Sequence, residues 1–270
     1  MKKIILGINT NHADSSACII VDNHLIAAAE EERFNRQKHW AGFPKESILY
    51  CLGEAGIDFS DISDVALNSN PLSNLIPKSL YFLSNYIKGS KKFEIFKRYQ
   101  KKINLKKTFI EIFGLNNHLK INYIDHHLSH ISSAYYPSEF KKCLAVSVDG
   151  FGDFASIVIA DCIGENIRIK KKILFPNSIG VFYESMTQLA GFKKYGDEYK
   201  LMGLSGYGKP IYYDFLKENL FVKNNWLNLN LKYYEFYKQN FSYNFIGEPN
   251  QNQLLSNNFF ELLKKKNIKY

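Results

Sequence analysis

"KIILGINTNHADSSACIIVDNHLIAAAEEERF", Lys3 to Phe34, is the stretch whose reading decides the fold. "KIILGIN" is a short apolar run of the kind that makes a buried strand, and "TNHADSS" is a polar turn. "ACIIVD" reads as a second strand and "NH", Asn23 and His24, as a tight turn. "LIAAAEEERF" then reads as a third strand running into charged residues.

Further along, "PKESILYCLGEAGI" opens with Pro44 at a first helical position. Ile48, Leu49, Leu52 and Ala55 have helical spacing, and Gly56 is a terminator. "DISDVALNSN" is the next strand. "KINYIDHHLSHISSAYY" predicts a strand ending near Ile124 and a helix beginning around Asp125. A second alternation starts at "CLAVSVDG", a strand from Cys143 to Val148 ending in an Asp149-Gly150 loop. "FASIVIADCIGENIRIKKKILF" gives two more strands joined by "IGEN", and "IGVFYESMTQLAGF" is helical. The order strand, polar loop, strand, turn, strand thus occurs twice.

That order suits an α/β chain of two related ribonuclease-H-like lobes with a cleft between them. Loops of such sheets present backbone donors to phosphate-like ligands. The expected division is 1–142 for a complete first lobe and 143–270 for the start of a second, truncated one. Periodicity is weak after about residue 220, until "NNFFELLKKKNIKY" reads as a surface helix ending in lysines.

The 270 residues are 46% apolar, enough for a sizeable core. A net charge of +9 permits contact with nucleic acid or anionic surfaces without requiring it. The densest basic run, Ile87 to Lys107, reads as an amphipathic helix with Phe93, Ile95, Phe96, Tyr99, Ile103 and Leu105 on one side and solvated lysines on the other. No nucleic-acid-binding signature accompanies it, so no nucleic-acid partner is expected. Cys18, Cys51, Cys143 and Cys162 form no CxxC pair and read as reduced core thiols. The N-terminus is a first strand rather than a signal peptide, and nothing approaches membrane-span length. A cytoplasmic protein with no membrane partner is expected.

"YIDHHLSHISSAYY", Tyr123 to Tyr136, sets three histidines within five positions. On a helix His126 and His130 are four apart and share a face, while His127 and His130 are three apart, so spacing leaves the pair open. Two helix imidazoles supply half of a typical metal shell, and a carboxylate ending a neighbouring strand, Asp149, is placed to add to it. Solvated or capping histidines are the plain reading.

"HHLSHISSAYYPSEF", "SVDGFGD" and "GDEYKLMGLSGYGKP", with "GINTNHADSSACIIVDNHLIAAAEEERFNRQKHWAGFP" before them, resemble the O-carbamoyltransferase family that modifies nodulation factors and antibiotics. The resemblance covers roughly residues 4 to 210. It implies an ASKHA fold, that of actin-like ATPases and of the threonylcarbamoyladenosine synthase subunit.

By the resemblance, His126, His130 and Asp149 are metal ligands, with iron the expected metal and zinc or manganese compatible. ATP and carbamoyl phosphate are the implied substrates. They give a carbamoyladenylate, whose carbamoyl group passes to a hydroxyl on a sugar-containing or other small natural product. His12 resembles the family histidine near the carbamoyl group and Lys38 the lysine that pairs with that substrate. Arg33 and Arg36 are further cationic candidates.

Nucleotide proximity is expected for Asp149, Gly150, Gly152, Lys200, Gly203 and Gly206. The last three lie in a glycine-rich stretch that permits close backbone approach but matches neither a Walker loop nor a dinucleotide fingerprint. Ser205-Gly206 replaces the family's Ala-Pro, and Asp153 its longer acid. Family members are about twice as long, so a separately encoded C-terminal half is an expected partner. The alternatives are a non-catalytic metal- or nucleotide-binding remnant and a sugar-kinase-like phosphotransferase.

Overall fold

A computed structural model describes residues 2–83, 104–114, 119–223, 225–238, 242–243, 249–250 and 252–268. Most of the basic run from Ile87 to Lys107 lies outside these residues. The chain is mixed α/β and divides into two compact units. One comprises Met1–Ser73, Lys88–His126 and Ser242–Asn250, and the other Asn74–Ile87, His127–Phe241 and Gln251–Tyr270.

The first unit is built on strands β1 (Ile4–Asn9), β2 (Ser16–Val21), β3 (His24–Glu30), β4 (Asp64–Leu67) and β5 (Lys120–Tyr123). Their order is β3-β2-β1-β4-β5. β1 to β3 are antiparallel, and β4 and β5 run parallel to β1. This is the ribonuclease-H-like arrangement that the first 34 residues predict. Alternation on β1 buries Ile4, Leu6 and Ile8, each removing apolar surface worth about 1.5–3 kcal/mol when fully buried.

A short helix α1 (Glu32–Asn35) follows β3. Helix α2 (Lys45–Ala55) ends at Gly56 in the left-handed conformation, φ 61°. Pro44 precedes α2 rather than opening it. Its buried residues are Ser47, Ile48, Cys51 and Leu52, whereas Leu49 is 43% exposed. The expected apolar face is therefore turned by one position, because Cys51 faces the sheet. Glu31, one of the "charged" residues after β3, is buried. Its carboxylate accepts from the backbone N–H groups of Glu46 and Ser47, at 3.1 and 2.8 Å, and from the Ser47 hydroxyl at 2.8 Å. It thereby satisfies the orphan donors of the α2 N-terminus. Phe109 of helix α4 (Leu105–Phe113) completes the core beside Phe59 and Phe43.

In the second unit β6 (Lys142–Gly152), β7 (Ala155–Ile163) and β8 (Asn166–Leu174) form an antiparallel sheet. Both first hairpins turn on two successive left-handed residues, Asp22-Asn23 (φ 46° and 66°) and Asp153-Phe154 (φ 47° and 74°). This is the turn type that matches strand twist. The expected tight turn at 23–24 is thus one residue earlier. Likewise, the expected Asp149-Gly150 loop belongs to β6, which continues past a register shift to Gly152.

Helix α3 (Leu75–Leu83) precedes this sheet in the chain. Helix α5 (His126–Tyr135) packs Ile131 and Tyr135 on Val158, Ala160 and Cys162. Helices α6 (Ile179–Leu189), α7 (Glu198–Ser205) and α8 (Tyr213–Leu220) follow. The stretch after residue 220, weakly periodic in sequence, supplies Leu229, Tyr234, Phe236 and Tyr237 to a core with Leu254, Leu255 and helix α9 (Asn257–Lys265). Phe259 and Leu263 of α9 are buried there, and Lys264 and Lys265 occupy its last turn. This core uses aromatic residues on short strands and 3-10 turns, which leave no helix or strand period to read. All four cysteines are unbridged.

Candidate metal centre

In the first unit the polar loop after β1 is laced to the loop that carries Lys38. The Asn9 side chain donates to the carbonyls of Ala13 and Asp14, at 3.0 and 2.9 Å. Ser15 Oγ donates to the Gly42 carbonyl at 2.8 Å, Asn11 N–H to the same oxygen at 3.1 Å, and Ser15 N–H to the Trp40 carbonyl at 2.9 Å. Asn11, Asp14, Arg36 and His39 all have positive φ in these two loops, a concentration of backbone strain typical of ligand sites. His12 and Lys38 are both exposed. His12 faces His126, with ring centroids 6.2 Å apart. Lys38 lies between Gln37 and Trp40, whose Oε1 and Nε1 are buried with no hydrogen-bond partner among the described residues. Arg33 is engaged by Glu30 at 3.1 Å and Glu32 at 3.4 Å.

Helix α5 places the three histidines in different surroundings. His127 is fully buried, with Nδ1 2.8 Å from Ser147 Oγ and Nε2 3.0 Å from the Ala155 carbonyl. Both ring nitrogens are engaged by the protein. His130 is exposed, and its Nε2 lies 3.7 Å from Asp149 Oδ2. The other carboxylate oxygen of Asp149 accepts from the Gly150 N–H at 2.6 Å, which fixes its plane. His126 Nδ1 lies 3.3 Å from the Asn68 carbonyl. With Nδ1 as the donor, Nε2 keeps its lone pair, the usual way an outer carbonyl sets the tautomer of a metal-binding histidine.

Ligand atoms of His126, His130 and Asp149 all lie within 4.8 Å of one another. The division between the compact units falls after the first residue of α5. That helix is continuous, so the cluster belongs to it and to β6. Atoms that each sit about 2.1 Å from one ion are about 3–4 Å apart, and the 3.7 Å between His130 Nε2 and Asp149 Oδ2 lies in that range. Imidazole with carboxylate suits iron, manganese and zinc.

The remaining expected residues are placed differently. Gly150 is half-buried beside open space, and Gly152 is buried at the end of β6. Gly203 lies within helix α7 and Gly206 just past its end, so the glycine-rich stretch is helical rather than a loop. Lys200 reaches back to Asp197, Nζ to Oδ1 2.6 Å. Asp197 also accepts from the Lys194 N–H at 3.1 Å. The Lys200 ammonium is the main cause holding the Asp197 carboxyl below its ordinary range, and the same contact raises Lys200.

Sequence reading missed the residues that fix Asp149 in place. Ser178, the N-cap of α6, accepts from the Val181 N–H at 3.1 Å and donates to the Gly150 carbonyl at 2.8 Å. Ser147, His127 and Gly180 complete this framework. The serine before "IGVFYES" is a legible capping signal; its tie to Asp149-Gly150 is a long-range contact with no local signature.

The chain matches the family model "Carbamoyltransferase N-terminus" over residues 4–269. It is 35% identical over 243 residues to sll1178, an uncharacterized protein of Synechocystis, covering 86% of this chain and 39% of that protein. Over 206 residues it is 34% identical to the nodulation protein NolNO of Sinorhizobium fredii, covering 75% of this chain and 29% of that protein. The chain therefore spans less than half the length of either relative. Among solved structures, YeaZ from Pseudomonas aeruginosa aligns with a TM-score of 0.37 and 12% identity, over 65% of this chain and 68% of that one. No helix among the described residues is long and apolar enough to cross a membrane.

Proposed function

The chain belongs to the carbamoyltransferase N-terminal family, and from that premise we propose that it is the metal-holding part of an O-carbamoyltransferase. The observation that carries the reading is the convergence of His126, His130 and Asp149 within 4.8 Å. A divalent metal held there, iron first and manganese or zinc next, supplies a positive charge for phosphate or carbamoyl oxygens.

In this reading carbamoyl phosphate is hydrolysed to carbamate and phosphate. A carbamate oxygen then attacks the α-phosphorus of ATP and expels pyrophosphate, giving carbamoyladenylate. A hydroxyl of a small natural product finally attacks the carbamoyl carbon and releases AMP. His12 orients the carbamoyl group, and Lys38 neutralises charge on its phosphate. The orphaned acceptor of Gln37 and donor of Trp40, on either side of Lys38, support a loop that rearranges around a ligand. Asp149, Gly150 and Gly152 bound the nucleotide's approach along β6, with Lys200, Gly203 and Gly206 contributing from α7 and its end.

A separately encoded C-terminal half is the proposed partner. The exposed Leu144, Val146 and Val148 of β6, and Tyr199, Met202 and Tyr207 around α7, support it as apolar surface fit for further polypeptide. The cytosol is the proposed compartment.

Pyrophosphate release from ATP that requires both carbamoyl phosphate and bound metal tests the reading. The assay uses purified chain, alone and with the remaining part of the Synechocystis relative. Release that is lost in His130→Ala supports it. Stoichiometric metal without release in either setting leaves a metal-binding protein and overturns the transferase reading.

A further inference from the structure

We propose that His127, the middle histidine of α5, is a positioning residue that sets the spacing of the metal cluster without touching the ion. The inference rests on the metal reading above and concerns a residue to which that reading gives no part.

The buried imidazole is held at both ends. A carbonyl can only accept, so Nε2 carries the proton and donates it to Ala155 at 3.0 Å. A neutral imidazole has one donor and one acceptor nitrogen, so in that form Nδ1 accepts from the Ser147 hydroxyl at 2.8 Å. One ring thus pins α5 to β6 through a side chain and to β7 through main chain, in a site closed to solvent.

The positions of the two anchors matter. Ser147 precedes Asp149 by two residues on β6, and both side chains reach α5, Ser147 at His127 and Asp149 at His130. His127 precedes His130 by three residues on α5, and their rings are 6.4 Å apart. The His127–Ser147 bond and the His130–Asp149 approach of 3.7 Å are two neighbouring rungs between one helix and one strand. The buried rung is a hydrogen bond with fixed length. The exposed rung, at 3.7 Å, is too long for a hydrogen bond. Loss of the buried rung lets the helix slide or roll against β6, and the preformed separation is lost with it. This also accounts for a buried histidine directly beside a candidate ligand.

Co²⁺ titration of the purified chain, followed by its visible absorption bands and by competition with a coloured chelator, tests the inference. Ser147→Ala deletes one hydroxyl and leaves every ligand in place. Its Co²⁺ affinity is expected to fall about 10- to 100-fold, with altered visible bands and an unchanged near-ultraviolet circular dichroism spectrum. Ser147→Thr, which retains the hydroxyl, is expected to recover the affinity and the bands. His127→Phe keeps ring volume but loses both bonds, and is expected to weaken binding at least as much as Ser147→Ala. Wild-type binding with unchanged affinity and bands in Ser147→Ala overturns this inference alone. Absence of Co²⁺ binding by the wild-type chain overturns the metal reading and this inference together.

Discussion

A β-carbon on Gly180 would lie 2.9 Å from the carbonyl oxygen of Asp149 and 2.9 Å from the nitrogen of Gly150. The first turn of α6 therefore rests directly on the main chain of a candidate metal ligand, and Ser178 ties the two together from the cap. Gly180→Ala confronts backbone atoms, which cannot rotate away as a side chain would. Alanine in a helix is otherwise favoured over glycine by about 1 kcal/mol, so destabilisation here would run against propensity. The expected result is a lower unfolding midpoint together with weaker Co²⁺ binding. A β-carbon at Gly150 meets nothing within 4 Å, and Gly150→Ala is expected to leave stability within about 0.5 kcal/mol. Equal midpoints for wild type and Gly180→Ala would contradict the close approach.

Tyr234 is fully buried in the core of the second unit, and its hydroxyl has no hydrogen-bond partner among the described residues. Burial pushes its pKa well above the ordinary tyrosine range. Folding therefore dehydrates a polar group without compensation, at a cost of about 1–3 kcal/mol. Tyr234→Phe removes the oxygen and keeps the ring against Phe236. The variant is expected to be as stable as wild type or more so, by about 1 kcal/mol, in urea unfolding read by tyrosine and tryptophan fluorescence. A loss of more than that amount would mean that the hydroxyl has a partner.

Cys51 packs against the first-unit sheet with no exposed surface, and its thiol lies 3.5 Å from the Ala17 carbonyl. Burial, with Cys18 nearby as a second cause, pushes the thiol up to about 11. The thiolate is the reactive form, so the native chain at about pH 8 is expected to leave Cys51 unmodified by iodoacetamide and Cys143 modified far faster. Peptide mass spectrometry before and after urea reads this directly. Native labelling of Cys51 at the rate of Cys143 would show that α2 opens locally.

The parts of this molecule that were legible in its sequence are those whose cause is local. β1 to β3 follow from alternation and turn residues within 34 positions, and α2, α5 and α6 from helical spacing. His130 and Asp149 were nameable as candidate ligands from local pattern, but spacing could not separate His126 from His127, and the family resemblance alone favoured His126. In the fold His127 is engaged by Ser147 and Ala155, 20 and 28 residues away, through hydrogen bonds that leave no period in the chain. The burial of Glu31 beneath α2 and the aromatic core after residue 220 escaped notice for the same reason. "GDEYKLMGLSGYGKP" read only as a glycine-rich stretch allowing close backbone approach. Part of it, Glu198–Ser205, is helical, with Lys200 paired to Asp197 at its start and Gly206 just past its end.

That last pair has a measurable pH signature. The Asp197 carboxyl is held below its ordinary value by Lys200 and by the Lys194 N–H, so its contribution to stability is complete above the ordinary carboxylate range. The contribution disappears as pH falls through the depressed folded value. Lys200 is raised by the same contact, so its share is complete below the ordinary lysine range and disappears as pH rises through the raised folded value. Asp197→Asn removes the negative partner and both shifts. The variant is expected to be less stable than wild type across the neutral range, with the gap closing in strong acid, where wild-type Asp197 is protonated. Unfolding midpoints for the two proteins at several pH values read the difference. A gap of constant size from neutral to strongly acidic pH would show that asparagine fails for reasons of packing at the start of α7. The charge pair would then have no part in holding the helix there.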